Sequence, residues 1–447
     1  MGRIVSVMME FVWIPFFVGY GHKGNRMMKW LSFCGLIGLL ILMVFSSLFG
    51  DSAVLFSTDN NIGSEAMLRN ALMSGFGAFW SDSSLLGGLG LFWPNFMGLL
   101  LLTMPLGLYV NWVHVIEMVM ASFFLLLFLR KCGILSMHAH SLAWITAFWM
   151  GCNFTLLYSG HTAKFGTLAF SALTLWCIRV TVQQKSVTWA ILSGGGMAIA
   201  LLEQQDVALF FGIFVGAYAV FCMVRQYGWR WLEMTKLLGS MGAIILLIAG
   251  PPSLSLLKSQ TEGISAGADE SPQGKWNFVT QWSQPPDETV DLIAPGYMGW
   301  RSGEPEGPYW GRCGRSAGWE QTRQGFMNFR LDNLYIGALP IVFALFAFIA
   351  ALCTKRKSEN AEACEVGWKD RRAEILFWSA VAIITLLLAY GKYTPLYWLF
   401  YQLPVVNNIR APVKFLQVFQ VALAILTAYG LDFAVQWAKC RRISVRQ

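Results

Sequence analysis

Residues 257–332 read LKSQTEGISAGADESPQGKWNFVTQWSQPPDETVDLIAPGYMGWRSGEPEGPYWGRCGRSAGWEQTRQGFMNFRLD, the one long polar stretch in this chain. No apolar run within it is long enough to cross a bilayer, and Gly, Pro, Trp and charges of both signs crowd it. Such a stretch is either a disordered linker or a folded, water-facing cap. Trp276, Trp282, Pro285, Pro295, Tyr297, Trp300, Trp310 and Trp319 favour the cap, because disordered linkers bury little apolar surface and are poor in aromatics. The rest of the chain is a string of apolar runs, seven before this stretch and three after it.

The composition agrees. The 447 residues are 56% hydrophobic and 13% charged, with 20 Trp and 33 Phe, and the mean hydropathy is +0.51. Soluble domains carry about 25% charged residues. Halving that fraction leaves a surface that faces lipid, so an all-α polytopic membrane protein is expected. The net charge of +8 then belongs to basic loops rather than to a nucleic-acid surface. Most of the nine cysteines lie in apolar runs or beside basic loops, and Cys313 stands alone in the polar stretch. That argues against a disulfide framework.

A helix needs about 20 apolar residues to span a bilayer. Ten runs qualify as expected spans, near 30–50, 108–129, 139–158, 165–182, 187–202, 207–224, 237–256, 334–353, 374–390 and 415–436. The expected organisation starts with an interfacial segment, 1–28, read without a cleavable signal. The first seven spans follow (29–256), with a first loop at 51–107 that carries surface helices. A lid (257–332), the last three spans (333–438) and a basic tail (439–447) complete the chain.

Charge orients this arrangement. With both termini cytoplasmic, the cytoplasmic segments hold 21 of the 33 Lys and Arg residues. The other face holds 12, of which 7 lie in the long stretch. Long loops escape the positive-inside rule, so the comparison is 21 against 5. The 257–332 stretch is therefore expected outside, with Asp51, Asp59, Glu65, Asp82, His161, Lys164, Glu203, Asp206, Lys392, Arg410 and Lys414 along the same rim.

Each rim residue has a plain reading beside a functional one. Asp51 ends a helix in water, and Asp59 sits in a turn-forming STDNN cluster where a capping role is ordinary. Lys164 can snorkel from a helix end. Glu203 and Asp206 end a helix among apolar residues, where acids are costly unless they face a cavity or a partner. Arg410 can take a phosphate or an acid of the long stretch. Inside the spans charge is rare, with His114 and Glu117 of the second span as exceptions, three apart on one face. The glycines of SGGGMAIA (193–200) fall within a span, where they allow close helix packing. The sequence holds no HExxH, CxxC or Walker pattern.

The order of features resembles the YfhO-like bacterial membrane proteins of the GT-C glycosyltransferase superfamily. Four places carry the resemblance: FSTDNN with Asp59 followed by FWPNF (92–96), GHTAKF (160–165), QWSQPPDETVDLIAPGYMGW (281–300) and YTPLYWLFYQLPVVNNIRAPVKF (393–415). Together they run over nearly the whole chain. The resemblance implies a GT-C-like fold in the bacterial cytoplasmic membrane. It also implies sugar transfer from a polyprenyl-phosphate-linked donor to an extracytoplasmic acceptor (glycan, lipid or protein). In that pattern the acid of the first outer loop, here Asp59, is the general base or a metal-associated carboxylate. Lys164, Arg410 and Lys414 would stabilise the leaving phosphate, and His161, Glu203 and Asp206 would line the sugar site. Many relatives carry a second acid where this chain has SGHTAK with His161, so a divalent metal is an open expectation. Two other classes stay open: a transporter or flippase of lipid-linked glycans, and a non-catalytic membrane subunit.

Overall fold

The computed structural model describes residues 23–50, 53–55, 62–74, 78–81, 88–91, 95–134, 136–150, 153–154, 157, 160–262, 271–299, 311–313, 334–353, 368–403, 407 and 409–444. The chain divides into two compact units, Met1–Asp51 and Ser52–Gln447. Among the described residues the first holds α1 (Lys23–Phe45) and a 3-10 turn, Ser46–Phe49.

In the second unit, α2 (Ile62–Ser74) and a two-stranded ribbon (β1, Ala78–Ser81; β2, Gly88–Leu91) precede α3 (Phe96–Thr103). The ribbon is antiparallel, with Ala78 opposite Leu91 and Ser81 opposite Gly88. Then come α4 (Leu106–Lys131), α5 (Met137–Phe148), α6 (Ala163–Gln184), α7 (Val187–Glu203), α8 (Gln205–Tyr227) and α9 (Trp231–Glu262). After α10 (Pro272–Thr280) the chain continues with α11 (Ala338–Cys353), α12 (Trp368–Ala389), α13 (Pro395–Tyr401) and α14 (Phe415–Ser444).

The helices follow from the apolar runs, because a backbone out of reach of water must satisfy its own N–H and C=O groups. Among the described residues, seven helices are long and apolar enough to cross a membrane: Trp30–Phe49, Leu106–Lys131, Ala163–Gln184, Gln205–Tyr227, Trp231–Leu254, Arg371–Ala389 and Pro412–Ala438. Val187–Glu203 and Ala338–Cys353 are apolar but shorter, and α5, in the third expected span, has 12 residues. This is a helical membrane protein.

Packing proceeds by neighbours, with α4 on α6, α6 on α7, α7 on α9, and α14 against α5, α11 and α12. The glycines of the SGGG run allow two of these contacts. A Cβ on Gly194 would lie 2.5 Å from the Met241 carbonyl oxygen, and one on Gly196 would lie 2.8 Å from Thr174 Oγ1. Within the 51–107 segment, α2 and α3 cover the first turns of α4, burying Leu72, Met97, Leu101, Tyr109, Val110 and Val113 together.

Charge inside the helices is more widespread than the sequence reading held. At the end of the bundle where α4 and α6 finish, Arg179 of α6 pairs with Glu374 of α12 at 2.6 Å. The Tyr429 hydroxyl donates to the second Glu374 oxygen at 2.6 Å. Arg371 pairs with Asp432 of α14 at 2.7 Å, and Asp432 also accepts the Ser136 N–H at 2.9 Å. Arg179, Glu374 and Asp432 thus join His114 and Glu117 within the expected spans, and their pairing, across distant helices, is what the fold supplies.

At the other end of the bundle lies residues 271–299. The polar stretch begins inside a helix, since α9 runs through Pro251 and Pro252 to Glu262. Ser271 caps α10 by accepting the Gly274 N–H, with Pro272 at the first helical position, where its missing donor costs nothing. A 3-10 turn follows at Pro286–Leu292. Backbone bonds fasten the segment to 389–413: Gln284 N–H to Ala389 O at 2.9 Å, Ala411 N–H to Val279 O at 2.9 Å, and Val413 N–H to Trp282 O at 3.0 Å. Trp276 meets Tyr401 edge to face, with ring centroids 5.0 Å apart. The acids at the Pro-Pro turn have specific partners. Asp287 pairs with Arg312, Glu288 accepts the Arg312 N–H, and buried Asp291 accepts the Met298 N–H at 3.2 Å.

Two outcomes follow. Gly391 has φ +50, and a Cβ there would lie 2.8 Å from both Ser283 Cβ and Pro412 Cγ. Gly391→Ala should destabilise the protein by about 2 kcal/mol, with faster proteolysis of 271–299; an unchanged melting temperature would remove this contact from the anchorage. Burial also raises the Asp291 carboxyl above its usual range. A raised carboxyl favours the fold while protonated, and that stability is lost as pH rises through the folded-state value. Wild type should lose melting temperature relative to Asp291→Asn as pH rises above about 4, and parallel profiles would contradict this.

Candidate functional site

Lys164, Glu203, Asp206 and Lys414 of the rim lie where α6 begins, α7 passes into α8, and α14 begins. Glu203 is the last residue of α7, and Gln204 is the N-cap of α8. Asp206 therefore stands in the first turn of α8, where the helix dipole favours an anion. Its carboxylate forms an ion pair with Lys414, the last residue of the 3-10 turn Pro412–Lys414 that leads into α14. The side chains are 14% and 27% exposed for Lys414 and Asp206, respectively, so this pair is neither fully buried nor at the open surface. Lys164, in the first turn of α6, is buried and near enough for its charge to act on Asp206. Lys414 holds this carboxylate directly, and Lys164 acts on it through its charge.

Glu203 has a different task. Its Oε1 accepts the Phe96 N–H at 2.6 Å and the Met97 N–H at 3.3 Å, closing the N-terminus of α3. Asn95 completes this junction. Its Oδ1 accepts the Gly98 N–H at 2.7 Å, and its Nδ2 donates to the Leu202 carbonyl at 3.4 Å. The sequence reading places Glu203 at a sugar; in the structure its Oε1 caps α3.

Behind this junction lies Glu117 of α4, fully buried, with the Gly166 backbone beside its carboxylate. Gly166 separates it from Glu203. A Cβ on Gly166 would lie 2.9 Å from Glu117 Oε1, 2.9 Å from Glu203 Cγ and 3.1 Å from Glu203 Cδ. His114, one turn before Glu117, is also fully buried, and its ring centroid is 6.4 Å from that of Phe165.

The remaining expected residues stand as follows. His161 is half-buried just before α6. Arg410 is exposed, with its guanidinium 5.6 Å from the centre of the Phe278 ring of α10. It stands on the 271–299 segment rather than on the Asp206–Lys414 pair. Asp51, Asp59 and Asp82 lie outside the described residues. Among the described residues, no group of three or more His, Cys, Asp and Glu side chains could hold a metal ion.

Sequence reasoning missed Gly166 and Ala411. Gly166 had no signal beyond its place two residues after Lys164. Ala411 is left-handed, with φ 72, although its Arg-Ala-Pro context marked a break in the chain. No protein-family model matches the sequence, and no curated protein does.

The junction yields a direct test. Gly166→Ala would push a methyl group between Glu117 and Glu203, and close packing resists such insertion by about 1–3 kcal/mol. The variant should melt lower than wild type and expose the 95–105 segment to protease first. Wild-type stability with unchanged cleavage would show that the two acids do not close on Gly166.

Proposed function

We propose that this chain is a membrane glycosyltransferase of the GT-C type. It moves a sugar from a polyprenyl-phosphate-linked donor to an acceptor on the face that carries 271–299. The observation that carries this reading is the pairing of Lys414 with Asp206, with the charge of Lys164 acting on the same carboxylate. Both lysines stand near the ends of candidate spans, the level at which a lipid-borne phosphate would meet the protein.

In the reaction, an acceptor hydroxyl attacks the anomeric carbon while the bond from that carbon to the phosphate oxygen breaks. The hydroxyl proton passes to a carboxylate base, which the sequence pattern assigns to Asp59. The leaving polyprenyl phosphate takes the electron pair, and Lys164 and Lys414 stabilise the charge it carries. Arg410, exposed on the same edge, is a further cation for the phosphate. His161, Asp206 and the second oxygen of Glu203 would line the sugar site. No step here is assigned to a metal. This reading places the chain in a bacterial cytoplasmic membrane, with ten spans, both termini inside and 257–332 as an extracytoplasmic lid. A second reading, transport of a lipid-linked glycan, draws on Glu117, because acids buried within spans mark transport paths.

The test is transfer of labelled sugar from a polyprenyl-phosphate donor in proteoliposomes. Asp59→Asn should abolish transfer without loss of folded protein. Lys414→Met should lower kcat by about 100-fold, the scale of losing one donor to a developing oxyanion. Full activity in Asp59→Asn would take the base role from Asp59. If wild type moves the intact donor across the bilayer without transfer, the transport reading replaces this one.

A further inference from the structure

At the far end of the bundle from Asp206, two turns come together. Lys185 ends α6 as its C-cap in the left-handed conformation, φ 51 and ψ 37. Glycine usually fills that position, because a side chain there crowds the backbone. The Lys185 ammonium lies 5.0 Å from the centre of the Tyr227 ring. Tyr227 ends α8, and its hydroxyl donates to the Val182 carbonyl, tying the α6–α7 turn to the α8–α9 turn. The chain then reverses at Gly228, φ +64, and presents Trp229 and Trp231 to the surroundings. These side chains are 65% and 63% exposed, their rings are 5.3 Å apart, and Leu232 beside them is 88% exposed. Arg225, Arg230 and Lys236 are exposed around them, and Glu233 is the one acid among 183–189 and 225–236.

Three candidate spans end or begin at this corner, at Gln184, Tyr227 and Trp231. It therefore belongs to the boundary between hydrocarbon and water. Tryptophan prefers that boundary. Cations on long stems reach from it to headgroup phosphates, and a basic cluster there favours anionic lipid. An aqueous protein partner fits less well, because Trp229, Trp231 and Leu232 alternate with cations within one turn instead of forming a dry patch.

We propose that Lys185, Arg225, Arg230 and Lys236, with the Trp229–Trp231 pair, form a binding edge for the headgroups of anionic phospholipids. Lys185 is its fixed point. The bond between Tyr227 and Val182 and the ring under its ammonium hold this lysine in a conformation that glycine would adopt without strain. This assignment is independent of the transfer reaction and of which side of the membrane the edge faces.

The test uses the full chain in nanodiscs of phosphatidylcholine, alone or with phosphatidylglycerol. Wild type should melt higher with phosphatidylglycerol, and salt should erase the difference. Lys185→Gly relieves the strained backbone, so its melting temperature in phosphatidylcholine should hold or rise while the phosphatidylglycerol increment falls to about half or less. Lys185→Arg should retain the increment. The combined Lys185→Gly, Arg225→Gln, Arg230→Gln variant should lose it. An equal increment in that combined variant, or no increment in wild type, overturns the proposal. So does a Lys185→Gly variant that loses stability equally in both lipids, because the lysine would then serve only the fold.

Discussion

The Glu203 carboxylate receives the first N–H groups of α3, and much of the candidate site depends on that bond. The first turn of a helix has no internal partners for its N–H groups, and within a membrane domain water is not at hand to replace them. An acid at the end of α7 is therefore tolerated because it completes another helix. The consequence is positional. Once Glu203 holds α3, the α7–α8 junction is fixed, and Asp206 three residues later is presented to Lys414. Glu117 then lies beside a second carboxyl with only Gly166 between them, so this corner of the bundle has room for no side chain larger than hydrogen.

The two ends of the bundle use charge differently. Around Glu374 and Asp432 the networks are closed. Arginine, tyrosine, a backbone N–H and Gln436 occupy the carboxylate oxygens. Buried pairs of this kind add little net stability against apolar packing, but losing one partner is costly. They specify which helices meet and at what height. Around Asp206 the contact is an ion pair with Lys414, and the buried Lys164 is near enough for its charge to act on the same carboxylate.

Much of this was legible in the sequence, for reasons that differ by residue. Apolar length gives the helices because backbone satisfaction in lipid leaves few alternatives. Acids at a helix end among apolar residues flagged Glu203 and Asp206, and their cost in such surroundings requires partners. The identity of those partners was not legible. Lys414 is 208 positions from Asp206, and Arg179 is 195 positions from Glu374, so only the fold could pair them. The seventh expected span, 237–256, took in Pro251 and Pro252, and α9 does run through them, continuing to Glu262. The capping of α3 by Glu203 was not legible, because capping a distant helix leaves no local trace.

The strained backbone at Ala411 joins the long polar stretch to this chemistry. A left-handed alanine costs about 1–2 kcal/mol, so the surroundings must hold it there. They do so from the 271–299 segment: Ala411 donates to Val279, and Val413 donates to Trp282. The next residue is Lys414, whose ammonium meets Asp206. Three consecutive backbone decisions thus set the position of one cation, and two of them are made by residues of the polar stretch. That segment does more than lie over the bundle. By fixing the approach to α14, it sets where Lys414 meets Asp206.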